Sequence, residues 1–411
     1  MKQLIRVYEH EVLKVDEKVF KSEHQLLLSK FLGNKGEDAF PYYSLIHNGV
    51  KFKHYVGVIS VGNLQIEILP KADKSAGEEE KDVWENHLLE MLRVVNKIKI
   101  NLPSKAEQRM KYSHVLDVLL NHFMDEVEHI LHIGLVKTYR RVENNCTSLK
   151  GRLMMSQHIM KNMVHKERFY IDYTTYDRNH ICNRLLYKAL RVIPEISADS
   201  YTIHRAKTLA FEFPELDDVV VSEALFNKLV FDRKTEDYRS SIDLAGMILL
   251  NYMPNMTHRR GNNVIALMFD MNKLWEEYVY RIIRCQLPYY NVHPQARKTF
   301  WKSDIVGEKT VKPDIVIMND HNCIAVFDTK WKIPADGKPG DSDLKQMYVY
   351  HEYWNTKHIA LIYPGNGTNV EGHFVKDGKN LADCRMYYLP ISSTTGSTLL
   401  EIKELLDYLE K

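Results

Sequence analysis

The spacing of apolar positions changes along this chain, and the changes divide it. Residues 1–72 carry short alternating runs, clearest in HYVGVISVGNLQIEILPK at 54–71, where two apolar segments flank Gly62-Asn63. Alternation with a reversal dipeptide of that kind predicts paired strands, hence a β-rich module. SAGEEEK at 75–81 is polar and charged and reads as a linker. From Asp82 to about Pro254 the period is helical, as in LLEMLRVV (88–95) and HVLDVLLNHFMDEVEHILHI (114–133), with an irregular or strand-containing insert expected at 136–178. From about Gly261 the order is helix, strand, strand, helix, strand, with further strands near HIALIYP (358–364) and CRMYYLP (384–390) and a terminal helix at 399–411. The expected fold is a multidomain α+β chain: a β-rich N-terminal module at 1–74, a mainly helical middle region at 75–260 and a mixed α/β core at 261–411.

Length agrees, since 411 residues at about 150 per domain allow two to three domains. No run of about eighteen apolar residues is present, so no membrane helix is expected. The start, MKQLIRVYEHEV, lacks the apolar core of a signal peptide. Five cysteines, mutually remote and without a C-x-x-C pair, fit a reducing cytosol and argue against a zinc or cysteine-ligated iron-sulfur site. A cytoplasmic protein is expected.

The densest chemistry lies in PDIVIMNDHNCIAVFDTKWK, residues 313–332. Ile315–Met318 and Cys323–Phe327 read as strands with turn residues between them, so a hairpin would bring Asp314 and Asp328 to the same end. Lys330 follows two positions later, on the Asp328 face. Two hard oxygen ligands beside an amine suit Mg²⁺-assisted phosphodiester hydrolysis, with Mn²⁺ able to substitute: the carboxylates hold the ion and the amine orients water. The Thr329 carbonyl is a further possible ligand. Context matters here, because an acid-x-Lys triplet also occurs at Asp16/Lys18, Asp343/Lys345 and elsewhere.

Further along, DSDLKQMYVYHEYW reads as a helix that Ser342 or Asp343 can cap, with Gln346 and Tyr350 on one face. Upstream, FDMNKLWEEYVYRIIRC reads as an amphipathic helix carrying Glu276 and Glu277. Gln-x-x-x-Tyr after the lysine strand is similar to the accessory signature of RecB-type PD-(D/E)xK nucleases, in which a helix acid often joins the metal. Glu276 is preferred for that role, because it follows the apolar Leu274-Trp275 pair as the corresponding acid does in similar sequences.

Charge and other motifs refine the picture. A formal net charge of +2 is too small to signal nucleic-acid binding by the whole chain, so any DNA contact should be local. One basic and aromatic run holds Arg140, Arg141, Lys150 and Arg152; another, just before the Asp314 strand, holds Arg297, Lys298, Trp301 and Lys302. His122, His129 and His132 share a helix with Glu126, but without H-E-x-x-H order they read as ordinary surface or packing residues. Gly33-Asn34-Lys35-Gly36 and Gly365-Asn366-Gly367 read as turns, and neither continues into the Gly-Lys-Ser/Thr of a phosphate loop, so nucleotide hydrolysis by that route is not expected.

Nearly end to end, the sequence resembles the McrC family, the nuclease subunits of McrBC-type modification-dependent restriction systems. The resemblance rests on YVGVI (55–59), IEILPK (66–71), the Leu149-Lys150-Gly151-Arg152 run, DRNHICNRLL (177–186), FDMNKLWEEYV (269–279) and the PD…DTKWK and DLKQMY blocks. It implies a restriction-endonuclease-like C-terminal core, cleavage of double-stranded, modified DNA in antiviral defence, and a McrB-like AAA+ GTPase ring as partner. That ring would be engaged and stimulated by the N-terminal half. A self-sufficient RecB-type repair nuclease and a non-catalytic activator of a motor ring are the alternative readings.

Overall fold

The computed structural model describes residues 3–35, 41–71, 81–95, 115–197, 199–253, 264–319, 322–334, 337–365 and 367–391. The terminal helix expected at 399–411 lies outside them, as does 75–81 apart from Lys81. Two compact units form, one from residues 2–115 and 268–411, the other from 116–267. The boundary expected at 75–81 thus falls inside the first.

In the first unit β1 (Gln3–Tyr8) is followed by β2 (Val12–Lys14), α1 (Ser22–Lys35), β3 (Tyr43–Ile46), β4 (Gly49–Phe52), β5 (Tyr55–Val61), β6 (Leu64–Leu69) and α2 (Lys81–Val94). The Gly33-Asn34-Lys35 stretch, expected as a turn, is the end of α1. β5 and β6 pair antiparallel from Val61↔Leu64, with Gly62 at φ 59° supplying the left-handed turn residue. β1 then adds in parallel, Gln3↔Leu64 to Tyr8↔Leu69. All six residues of β6 are buried, polar ones included. Glu67 is tolerated there because Arg6, its cross-strand neighbour, and the Val115 amide both donate to it.

The second unit opens with α3 (Val115–Ile133). β7 (Thr138–Cys146), β8 (Arg152–Leu153), α4 (Met155–Asn162) and β9 (Phe169–Asp177) fill the insert expected at 136–178, with β9 between the other two strands. α5 (Ile181–Ile196), α6 (Ser200–Phe211), α7 (Glu223–Asn227), α8 (Arg239–Leu250) and β10 (Tyr252–Met253) complete it, and β11 (Val264–Asp270) leads the chain back.

α9 (Met271–Gln286) starts at Asp270, whose carboxylate accepts from the Asn272 and Lys273 amides. β12 (Asn291–Pro294), β13 (Lys298–Ser303), β14 (Gly307–Val311), β15 (Ile315–Asn319), β16 (Asn322–Thr329), α10 (Asp341–Trp354), β17 (His358–Pro364), β18 (His373–Lys376) and β19 (Lys379–Leu389) follow. Six of these strands form a mixed sheet in the order β12-β15-β16-β17-β19-β18, while β13 and β14 pair only with each other. β17 runs parallel to both neighbours and is apolar and almost wholly buried, as a central strand covered on both faces must be. Met347, Tyr350 and Trp354 of α10 pack on Val316, Val326, Ile359, Leu361 and Tyr363. The alternate residues face α9, whose buried Trp275 donates its indole N–H to the Ile362 carbonyl at 3.4 Å.

Glu9, just past β1, is held inside this unit. Its Oε1 accepts from the Lys71 amide (2.9 Å) and the Trp331 indole (2.6 Å). Burial, against the pull of those two donors, pushes its pKa up from 4.5 to about 7. The folded state therefore binds this proton more tightly than the unfolded chain. The cost of ionising Glu9 is absent below about pH 4.5, grows between 4.5 and 7, and is complete above about 7. Glu9→Gln keeps an oxygen for both donors and removes that cost, so by urea unfolding it should gain on wild type by up to about 3 kcal/mol between pH 5 and pH 8. A difference between the two proteins that does not change with pH would refute the assignment.

Candidate active site

The β15–β16 hairpin has the register Ile315↔Phe327, which puts Asp314 and Asp328 across from each other at its open end. The reversal lies at the far end, where Asn319 pairs with Asn322. Asp314 is fixed twice over: its Oδ2 accepts from the Thr329 amide (2.7 Å) and hydroxyl (2.8 Å), and its carbonyl accepts from the Gln295 amide (2.8 Å). Among the described residues its Oδ1 has no hydrogen bond. Asp328 is 2% exposed, and its Oδ2 faces the Lys330 ammonium at 2.7 Å as an ion pair. Burial, then the like charge of Asp314, pushes the Asp328 carboxyl up to about 7 despite Lys330.

Lys330 is the counterweight. Burial pulls its ammonium down, but Asp328, Asp343 and Asp314 outweigh that and hold its pKa above the usual value. Its Nζ donates to Gln346 Oε1 at 3.0 Å. Gln346 Nε2 in turn reaches Asp328 Oδ1 (3.4 Å) and the Tyr350 hydroxyl (2.7 Å), and that hydroxyl donates to the Lys312 carbonyl at 3.0 Å. Gln346 thus reads both charges of the ion pair, and Tyr350 fixes its orientation.

Glu276 and Glu277 separate clearly. Glu277 turns to Arg281 on its own helix at 2.7 Å. Glu276 lines the pocket, where burial and then Asp314 raise its pKa, and it accepts from Gln295 Nε2 at 2.5 Å. Glu276, Asp314, Asp328, Thr329, Lys330 and Gln346 all border one polar cavity of about 390 Å³.

Two residues at or beside this pocket were not assigned to it from the sequence. Asp343, expected as a helix cap, lies inside α10, whose N-cap is Gly340 with no side-chain bond. Its buried carboxylate instead takes Lys332 at 2.6 Å and stands 3.6 Å from Lys330. Gln295, at φ 52°, ties the Asp314 backbone to the Glu276 side chain from a conformation that costs a non-glycine residue about 1 kcal/mol or more. An acid-x-Lys spacing at Asp343/Lys345 hints at the first; nothing in the sequence marks the second.

The basic residues fall in different settings. Lys298 donates to the Tyr353 carbonyl (2.7 Å) and lies over the Trp354 ring, while Arg297, Trp301 and Lys302 are exposed around β13, Lys302 standing 3.5 Å from Glu308. Arg140, Arg141, Lys150 and Arg152 belong to the other unit. Arg140 pairs with Asp177 and Asp217, Arg141 with Asp172, and Lys150 sits over the Tyr173 ring, whereas Arg152 is exposed. Neither these residues nor the α3 histidines form a metal cage. Among the described residues no group of three or more His, Cys, Asp or Glu is arranged to hold an ion unaided. The pocket still suits a divalent cation, because the Asp328 carboxylate is buried beside a second carboxylate and, among the described residues, Asp314 Oδ1 accepts no hydrogen bond.

A family profile described as "McrBC 5-methylcytosine restriction system component" matches residues 50–364. The chain belongs to the McrBC family. Within solved structures, this McrBC-family chain is similar to one from an assembly of Thermococcus gammatolerans McrB AAA+ hexamers with bound McrC. That match has 18% identity and a TM-score of 0.68, and it covers 98% of this chain and 100% of that one. A chain of the Thermococcus gammatolerans McrBC complex determined by cryo-EM aligns at 19% identity over 69% of this chain and 88% of that one, with a TM-score of 0.48. No curated protein matches the sequence. The first likeness establishes a shared fold along almost the whole length.

If the Tyr350 hydroxyl orients Gln346, Tyr350→Phe leaves a half-buried amide and the Lys312 carbonyl short of a partner. Urea unfolding should show a loss of roughly 1–3 kcal/mol. No loss beyond experimental error would mean that the network does not bear on stability.

Proposed function

We propose that this McrBC-family chain is the nuclease subunit of a restriction complex. In this reading it is a Mg²⁺-dependent endodeoxyribonuclease of PD-(D/E)xK type that cuts double-stranded DNA when docked on a GTP-hydrolysing AAA+ ring like McrB. The observation that carries the proposal is the convergence of Asp314, Asp328, Lys330 and Gln346 on one polar cavity in a member of a restriction-system family.

Asp314 and Asp328 would hold the cation, with Glu276 and the Thr329 carbonyl as further oxygen donors. When bound, such a cation supplies positive charge and Lewis acidity at the scissile phosphate. The remaining work falls to the chain's own groups. Thr329 clamps Asp314 Oδ2, leaving its other oxygen for the pocket. Lys330, kept protonated by the surrounding carboxylates, orients a water and steadies charge on the phosphate. Gln346 and Tyr350 hold the Lys330–Asp328 pair in place.

Ring docking draws support from the fold shared with the Thermococcus gammatolerans assembly, in which McrC is bound to McrB hexamers. It also draws on the second unit's surface. Leu149, Met155, Met160, Met163 and Val164 around α4 are 59–84% exposed, an apolar run of the kind a protein partner covers. The motor would be supplied in trans.

Asp314→Ala, Asp328→Ala and Lys330→Ala should each lower Mg²⁺-dependent DNA cleavage by the assembled complex about a hundredfold or more. Stimulation of the ring's GTP turnover should stay intact, because the changes are confined to the pocket. Cleavage by Asp328→Ala at the wild-type rate would mean the catalytic centre lies elsewhere. Loss of GTPase stimulation along with cleavage would point to a folding defect.

A further inference from the structure

The ribbon formed by β13 and β14 stands apart from the sheets, and nearly every residue in it is exposed. An isolated two-stranded ribbon is marginal in water. Among the described residues this one is anchored at its base. Lys298 Nζ donates to the Tyr353 carbonyl and lies 5.0 Å from the Trp354 ring centre, Tyr353 OH donates to the Phe300 carbonyl at 3.3 Å, and Tyr350 OH donates to the Lys312 carbonyl. These polar anchors all involve α10, the helix that carries Gln346 into the pocket, and Val311 at the end of β14 packs on the core beside it. Two residues beyond Lys312 the chain reaches Asp314.

The far end is built to project. Ser303 Oγ accepts from the Ile305 and Val306 amides, and Gly307 at φ 88° closes the turn. Ile305 is 96% exposed and Val306 79%, with Phe300 and Trp301 about half exposed on the strand below. Between Arg297 and Lys312 the segment carries five cations (Arg297, Lys298, Lys302, Lys309, Lys312) against Asp304 and Glu308, a local net of +3 in a chain whose total is +2. Among the described residues Lys309 has no ion pair, and Lys302 meets only the half-exposed Glu308.

We infer that β13–β14 is a duplex-gripping ribbon that lies in a DNA groove beside the scissile phosphate. Lys302 and Lys309 would meet the backbone phosphates, and Ile305 and Val306 at the tip would press on the base edges. The assignment rests on the nuclease reading above. A two-stranded ribbon fits the width of the major groove, its cations suit phosphates, and an apolar tip flanked by lysines suits a groove floor between phosphate rims. Because the base is pinned to α10, seating the ribbon would also fix the phosphate register at Asp314.

The test uses the full-length chain and its complex with the ring, a fluorescent duplex of plain sequence, and EDTA to prevent hydrolysis. Lys302→Ala/Lys309→Ala should weaken binding and make the slope of log K against log salt shallower by about two. Ile305→Ser/Val306→Ser should weaken binding roughly tenfold with the slope unchanged, and both proteins should melt like wild type. Wild-type affinity and slope in both variants would overturn the ribbon's role, as would no duplex binding by the wild type or its complex. Unchanged DNA affinity with altered self-association would overturn it in favour of a contact between copies of the chain. Wild-type cleavage with Mg²⁺ and the ring is scored separately. Cutting without ribbon-dependent binding leaves the nuclease reading standing and removes the ribbon; ribbon-dependent binding without cutting does the reverse.

Discussion

A carboxylate buried to 2% exposure and facing a second carboxylate is expensive to keep, and the C-terminal sheet is organised around keeping Asp328 in that position. Moving one ion out of water costs several kcal/mol unless a close counter-charge and hydrogen bonds compensate. Here compensation comes from two elements: the end of β16 sets the path to Lys330 and α10 supplies Gln346, against the opposing like charge of Asp314 just before β15. The apolar core of Val316, Val326, Met347, Tyr350, Ile359 and Leu361 fixes the helix against the strands, and so fixes these distances. In the proposed role, a cation placed between Asp314 and Asp328 would remove their mutual repulsion.

The pocket is not the property of the C-terminal segment alone. Trp331, directly after Lys330, donates to Glu9 of the N-terminal strands and stacks obliquely 5.5 Å from Trp275 of α9. Residues from the start and the end of the sequence thus share one compact unit and one boundary of the site. Trp331, one residue past Lys330, is therefore held from the N-terminal strands as well as from α9.

Much of this was legible in the sequence. The hairpin of 313–332 was readable because buried strands write themselves as β-branched runs, and the strand period fixes which residues share an end. The helices at 271–286 and 341–354, and the pairing of Gln346 with Tyr350, followed from the four-residue repeat. The ribbon was not legible as strands, because β13 and β14 bury neither face and so lack alternation. Asp343 looked like a cap because acids in a first helical turn usually are, yet burial beside Lys332 decided its role. Gln295 acts through its backbone at a positive φ, which residue type does not reveal. Arg140 and Arg141 read as a basic run, but they pair with Asp177 and Asp172 of β9, each two positions along from the arginine's cross-strand partner, Thr175 or Thr174, a diagonal that the register of β7 on β9 exposes.

The central claim, that the Asp314–Asp328 pocket is a divalent-cation centre, is tested most directly by Mn²⁺ binding to the isolated full-length chain. Calorimetry and electron paramagnetic resonance read occupancy without reference to cleavage. The account predicts that wild type binds Mn²⁺ and that Asp314→Asn and Asp328→Asn, with unchanged melting, each lower the affinity about tenfold or more, by removing a charged ligand. Equal Mn²⁺ binding by wild type and both variants would contradict it.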